Sequence, residues 1–504
     1  MNQNLFHLLA EGIVDPKATA IETPDGHRLS YADILAASAR MAHALVSLGV
    51  VPGDRVAAQV EKSVPALMLY LASLRAGAVF LPLNTAYTPA EIAYFIGDAT
   101  PRLFVCDPAA APKLAPVAQA AGARLMTLGA DGSGTLGEAA AAGREGDFAT
   151  VPRGADDLAA LLYTSGTTGR SKGAMLSHGN LVSNTRALQQ AWRFDQRDVL
   201  IHALPIFHTH GLFVASNVTL FSGASMIFLP KFDPAQVLGL MGRASVLMGV
   251  PTFYVRLLAE PGLDRTSTAG MRLFVSGSAP LLAETHRAWQ QRTGHAILER
   301  YGMTETNMNT SNPYEGPRVA GTVGLPLPGV EVKVTDPVSG ETLPQGQIGM
   351  VEVRGPNVFK GYWQMPEKTA AELRPDGFFI TGDLGCFDDN GYLQIVGRGK
   401  DLVISGGLNV YPREVETEID ALPGVVESAV IGLSHPDLGE AVTAVVVPDP
   451  DHPATESAIL AALAPRLARF KLPKRVLFLD ELPRNTMGKV QKNQLRDRYA
   501  GLYG

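Results

Sequence analysis

Thiols are scarce in this chain: Cys106 and Cys386 are the only cysteines in 504 residues. That excludes a disulfide framework or a cysteine metal site and suits a reducing, cytoplasmic setting. Basic charge is not in excess either. Lys and Arg number 43 against 49 Asp and Glu, a formal net charge of −6, so no overall field draws the chain to nucleic acid or anionic lipid. The first ten residues lack both the basic-then-apolar pattern of a secretory leader and the Arg-rich pattern of a transit peptide. A membrane-length apolar run is missing too: the longest uncharged apolar stretch, Gly211 to Pro230, is broken by Ser216, Asn217, Thr219, Ser222, Gly223 and Ser225. The expected partners are small molecules, with no nucleic acid and no membrane.

What is present is material for a core. Apolar residues make up 46% of the chain and charged residues 18%, and Gly (51) and Pro (35) stay below low-complexity levels. Apolar residues recur at helical spacing from Ser30 to Leu48. A turn at Gly49–Asp54 precedes a strand pattern at Arg55–Val60, a helix at Val64–Ala76 and a strand at Val79–Leu83. Thr88-Pro89-Ala90-Glu91 supplies an N-cap, a proline at the first helical position and an acid at the third. Such alternation predicts an α/β fold with layered, mainly parallel sheets. The glycine-rich Gly397-Arg398-Gly399-Lys400-Asp401 marks a boundary between residues 1–398 and a smaller α+β unit, 399–504. The latter reads as helix (412–420), strand (425–431), strand (441–447), helix (456–468) and strand (475–479). A large domain followed by a small one leaves a cleft where ligands bind.

The segment richest in chemistry is Leu161-Leu162-Tyr163-Thr164-Ser165-Gly166-Thr167-Thr168-Gly169-Arg170-Ser171-Lys172-Gly173. An apolar strand runs into glycines, hydroxyls and one lysine. Glycines let backbone N–H groups approach phosphate oxygens, hydroxyls add donors, and a lysine adds a point charge. The order is not that of a Walker A loop.

This loop resembles the signature of the adenylate-forming superfamily of acyl-CoA synthetases, adenylation domains and luciferases. Further motifs of that superfamily follow in order: Tyr301-Gly302-Met303-Thr304-Glu305-Thr306, Thr381-Gly382-Asp383, Gly397–Asp401, Ser405-Gly406-Gly407 and Pro483–Lys489. The resemblance implies ATP and CoA as substrates with Mg²⁺ as cofactor. It sets Thr164 to Gly169 and Lys172 around the phosphates, with Tyr301 and Gly302 against adenine. Thr304 goes to the α-phosphate, Glu305 to Mg²⁺, Asp383 to the ribose hydroxyls and Arg398 to ribose or phosphate. A lone carboxylate suits Mg²⁺ carried on substrate phosphates. Lys489 matches the catalytic lysine that bridges the attacking carboxylate and the α-phosphate. Two half-reactions are implied, acyl-adenylate formation and then thioester formation, with the C-terminal unit turning about a hinge at Lys400. That turn withdraws Lys489 and presents Ser405, Gly406 and Gly407 to a pantetheine tunnel. Lys489 also resembles an acetylated position, which implies a lysine acetyltransferase as partner.

Within the superfamily, the segments Leu204–Phe213, Pro251–Arg256, Val275–Pro280 and Glu299–Pro313 resemble malonyl-CoA synthetases. That resemblance puts Arg256 and Ser278 on the distal carboxylate of malonate, since a guanidinium pairs a carboxylate bidentately. His208 becomes a gate or orienting donor beside the acid and the thiol tunnel. His208 and His210, two residues apart, lack the i,i+4 spacing of a helical zinc pair. Methylmalonate is expected as a slower second substrate, because one methyl group discriminates weakly. A medium-chain or aryl acid CoA ligase, and a catalytically silent adenylate-binding protein, remain alternatives at this stage.

Overall fold

The computed structural model describes residues 2–144, 146–164, 171–406, 408–485 and 488–503. Among these, two large sheets dominate, one of nine strands and one of six. Both are parallel in their centres. In the nine-stranded sheet, Val199–His202, Ser225–Phe228, Val246–Gly249, Leu273–Ser276 and Leu298–Met303 all pair in parallel. Antiparallel pairs close its ends, including Leu298–Met303 with Asn307–Ser311. In the six-stranded sheet, only Leu158–Thr164 with Lys172–Ser177 is antiparallel.

The helix Val64–Arg75 shows how the layers join. It is buried from Ala66 to Arg75, as a helix apolar all round must be. Its Tyr70 ring meets Phe80 of the six-stranded sheet, while the hydroxyl donates to Asn217 Oδ1 at 3.1 Å beside the other sheet. The amphipathic helix Tyr31–Ser47 packs beside it, and Thr88 and Glu91 form the expected reciprocal cap of Pro89–Ala99.

The expectation of mainly parallel pairing fails over residues 331–398. Four strands there, Glu331–Thr335, Gly349–Arg354, Phe379–Phe387 and Leu393–Arg398, form an antiparallel sheet joined by short turns. Beyond Arg398, a sheet of five strands with helices Pro412–Asp420 and Glu456–Leu463 has its own apolar clusters. The second helix stops five residues short of the sequence-based expectation. Pro465 explains this: it has no backbone N–H to donate to the carbonyl four residues back, so the hydrogen-bond ladder stops there. No helix among the described residues is long and apolar enough to cross a membrane.

Candidate active site

The phosphate-cradle hairpin is in register: Thr164 pairs with Lys172 across the two strands, and both are half-buried. Ser165, Gly166, Thr167, Thr168 and Gly169 lie outside the described residues. Lys172 Nζ sits 3.4 Å from Glu372 and 4.2 Å from the centroid of the Tyr362 ring. The Tyr362 hydroxyl in turn lies 2.7 Å from Glu372 Oε2 and 3.0 Å from Glu305 Oε1. One phenol thus ties the loop lysine's counter-ion to Glu305. Burial holds Glu305 above the usual carboxylate range. Glu372 falls below it: burial opposes ionisation, but Lys368, Tyr362 and Lys172 together outweigh that cost. Neither Tyr362 nor Glu372 was legible as a site residue, since their partners are distant in sequence.

Thr304 and Glu305 occupy the turn between Leu298–Met303 and Asn307–Ser311. Gly302 is required there: a Cβ would lie 2.0 Å from Asn307 O, so no larger residue fits the closely paired strands. Next to it, the Tyr301 hydroxyl donates to Asp383 Oδ2 at 2.5 Å, and Arg398 Nε pairs with Asp383 Oδ1 at 2.8 Å. Adjacent antiparallel strands bring Asp383 and Arg398 opposite each other.

Lys489 reaches this group from the C-terminal unit. It keeps solvent contact, yet the cleft is crowded: loss of hydration, then the nearby Arg398, brings its ammonium down to about 8, against the pull of Asp383 and Asp401. The preceding Gly488 has φ +76°, and its ideal Cβ position lies 3.4 Å from Thr252 Cγ2. Lys400 sits in a short 3-10 turn, Gly399–Asp401. Ser405 is buried and Gly406 exposed at the tip of a hairpin, strands Val403–Ser405 and Leu408–Val410; Gly407 lies outside the described residues.

The acid side departs from the sequence-based expectation. Arg256 is exposed. It belongs to the helix Pro251–Leu258, whose buried face is Phe253, Tyr254 and Leu257. Residues 255 and 256 therefore turn outward at 100° per residue. The buried guanidinium is Arg300, 3% exposed; among the described residues its Nε and Nη2 have no hydrogen-bond partner and no carboxylate pairs with it. Burial lowers its pKa to about 9, so it stays cationic at neutral pH. Its headgroup presses on the 276–278 turn: a Cβ on Gly277 would sit 2.4 Å from Arg300 Cζ.

Ser278, next in that turn, takes a left-handed backbone with φ 71°, a strained state for a residue with a side chain. Its Oγ lies 3.2 Å from His210 Nδ1. His210 is fully buried, and its backbone N–H donates to His208 Nδ1 at 3.4 Å. Burial, followed by Arg300, pushes the His208 imidazole down to about 4 and holds His210 well below its ordinary value, so both are neutral at physiological pH. Among the described residues the site thus offers one buried cation, two neutral imidazoles and a hydroxyl, with no carboxylate paired to the cation. Arg300 had one sequence signal, its place in the charged pair Glu299-Arg300 that directly follows the apolar Ile297-Leu298.

No group of three or more His, Cys, Asp or Glu side chains suited to a metal occurs among the described residues. Glu305, a buried carboxylate linked through Tyr362 to Glu372 and Lys172, fits a Mg²⁺ that arrives with most of its ligands on ATP.

An AMP-binding enzyme family model matches residues 13–363, and the model of the AMP-binding enzyme C-terminal domain matches residues 414–489. The chain is similar to ATP-bound MatB from Rhodopseudomonas palustris, with 64% identity, all of both chains covered and a TM-score of 0.98. Against the apo form of that protein the TM-score is 0.87 at the same identity and coverage. It is also 38% identical to a feruloyl-CoA synthase of Amycolatopsis sp, over 97% of each chain. With a malonate–CoA ligase of Arabidopsis thaliana it shares 35% identity, over 89% of this chain and 78% of that one. Two family models, covering residues 13–363 and 414–489, establish that the chain belongs to the AMP-binding enzyme family.

Proposed function

We propose that the protein is an acid–thiol ligase that activates malonate with ATP, passes the malonyl group to CoA, and releases AMP and pyrophosphate. The observation that carries the choice of acid is the unpaired, buried Arg300 guanidinium beside Ser278, His208 and His210. A buried cation is costly until an anion neutralises it. Malonate has a carboxylate to spare after the first is activated. Ferulate and fatty acids have none, and an apolar ligand end would leave Arg300 unpaired. Sequence identity alone does not separate these acids, since feruloyl-CoA synthases and malonate–CoA ligases match at 38% and 35%.

In this reading Lys172 and the loop before it hold the phosphates, while Asp383, Tyr301 and Arg398 receive the ribose side. Glu305 would hold Mg²⁺, which supplies charge neutralisation on the phosphates when bound. Lys489 bridges the reacting malonate carboxylate and the α-phosphate, stabilising negative charge that builds between them. The higher similarity to the ATP-bound than to the apo neighbour supports the adenylation arrangement, with Lys489 beside Arg398 and Asp383. Thioester formation then follows rotation about Lys400, bringing Ser405 and Gly406 to the thiol path. Acetylation of Lys489 would remove the charge that the first step needs.

The test is acid-dependent formation of AMP and thioester with ATP, Mg²⁺ and CoA, comparing malonate, methylmalonate, ferulate, octanoate, benzoate and acetate. Malonate is expected to lead by at least two orders of magnitude, with methylmalonate second. Ferulate or octanoate in the lead overturns the assignment of the acid but keeps the ligase chemistry.

A further inference from the structure

Lys62 has no role in the reaction above and no carboxylate partner in any ion pair among the described residues. It lies just past the strand Arg55–Gln59 and turns its ammonium inward. Nζ is 3.0 Å from His202 Nδ1 and 2.7 Å from the His202 carbonyl oxygen, and it sits 4.4 Å from the centroid of the Phe228 ring. His202 ends the strand Val199–His202, in register with Phe228 on the neighbouring strand. On the far side of its ring, Nε2 is 2.9 Å from the Gly211 carbonyl oxygen and 3.1 Å from Ser216 Oγ.

The roles of the two ring nitrogens follow from these partners. A carbonyl oxygen only accepts, so Nε2 carries the proton and donates to Gly211. Nδ1 then presents a lone pair, buried, and needs a donor. Lys62 is that donor. The chain is in turn tightly held at Gly211: a Cβ there would lie 2.0 Å from Pro205 O. It is the second residue of the π-helical turn His210–Ser216, and such turns are concentrated at functional sites. The residue before it, His210, faces Ser278, and the His208 carbonyl accepts from Leu212 N at 3.0 Å.

We propose that Lys62 is a positioning residue for the acid pocket: through His202 it fixes the Gly211 carbonyl, and with it the His208–His210 segment that lines the carboxylate site. The inference rests on the assignment of that pocket to the acid. Without Lys62, Nδ1 is a buried acceptor with no donor. The ring then gains by shifting its proton to Nδ1, which turns a lone pair on Nε2 toward the Gly211 oxygen. The hydrogen bond is lost and the turn moves, while the nucleotide side, built on other strands, does not.

The test uses the full chain and steady-state kinetics. Lys62→Met keeps the stem against Phe228 and removes the donor. It is expected to raise the KM for malonate about tenfold or more, the scale of a lost buried hydrogen bond, while the KM for ATP stays within about twofold. In a His202→Gln background the amide N–H toward Gly211 no longer depends on a tautomer, so adding Lys62→Met should cost less than about threefold. Wild-type constants for Lys62→Met, an equal rise in both KM values, or the same loss in both backgrounds overturns the proposal. Should Lys62→Met not fold, His202→Gln against His202→Phe decides the matter. The glutamine is expected to keep the malonate KM within about threefold and the phenylalanine to raise it, and equal constants overturn the idea. Wild-type protein assayed alongside separates this from the functional reading. If it turns over ferulate and not malonate, the choice of acid fails, and the ratio measured with ferulate still tests Lys62.

Discussion

Replacing Arg300 by methionine should make the protein more stable and nearly inactive on malonate. The two effects share one cause. In the free protein, Arg300 Nε and Nη2 are buried without partners, a standing cost that an apolar side chain of similar length removes. Substitutions of that kind gain about 1–4 kcal/mol where buried charge gives way to well-packed apolar atoms, so the midpoint of chemical denaturation should rise. With malonate bound, the balance reverses. A guanidinium and a carboxylate at about 4 Å attract by about 4 kcal/mol at an effective dielectric of about 20, and loss of that pair corresponds to about 10³-fold in kcat/KM. The assay is malonate-dependent AMP release across a malonate titration, with urea denaturation of the same preparation. A variant that is destabilised yet keeps kcat/KM within about threefold would refute the reasoning, for it would mean that Arg300 supports the fold and not the acid.

Other outcomes follow from the same geometry. Arg256→Ala should leave kcat/KM for malonate within about twofold, because an exposed side chain makes no buried pair; a hundredfold loss would return the role to Arg256. Lys489→Ala should slow malonate-dependent pyrophosphate exchange by about 10²-fold or more while sparing thioester formation from supplied malonyl-adenylate, and equal loss in both assays would contradict its withdrawal after the first step. Lys489 is depressed to about 8 in the free protein, so its cationic form is complete well below that pH and lost above it. kcat/KM for ATP in the exchange assay should therefore fall as pH rises through about 8, and a flat profile to pH 9.5 would count against it. Tyr362→Phe removes the hydroxyl shared by Glu305 and Glu372, which should cost about 1–3 kcal/mol by urea denaturation and raise the Mg²⁺ concentration needed for half-maximal exchange; no change in either measurement would deny the bridge.

Local chemistry carried much of the fold into view. The Thr88-Pro89-Glu91 start and the helix at 412–420 are set by side chains within one turn of each other, and both appear as expected. The apolar strand that leads into the glycine-rich loop appears as well, as Leu158–Thr164. Long-range closure was not legible. Glu305, Tyr362 and Glu372 meet across 57 and 10 residues, and Lys62 meets His202 across 140; no periodicity encodes such encounters. Arg256 is the instructive case between. It resembles a binding residue, while the helical phase of Phe253, Tyr254 and Leu257 turns residue 256 outward.

Asp401, directly after the proposed hinge, is clamped by Arg496 at 2.6 Å, and Lys492 of the same helix, Lys492–Tyr499, holds Glu416 at 2.6 Å. The last helix therefore braces the chain up to the pivot, leaving the torsions around Gly399 and Lys400 to absorb a rotation. In the proposed rotation, a swivel with so few free bonds would visit few orientations, and each return would present Lys489 along nearly the same arc. The local concentration of its ammonium at the nucleotide is then set by that arc and not by the wandering of a tether. Cutting the Arg496–Asp401 clasp would turn the swivel into a leash, with Lys489 still attached and seldom in place.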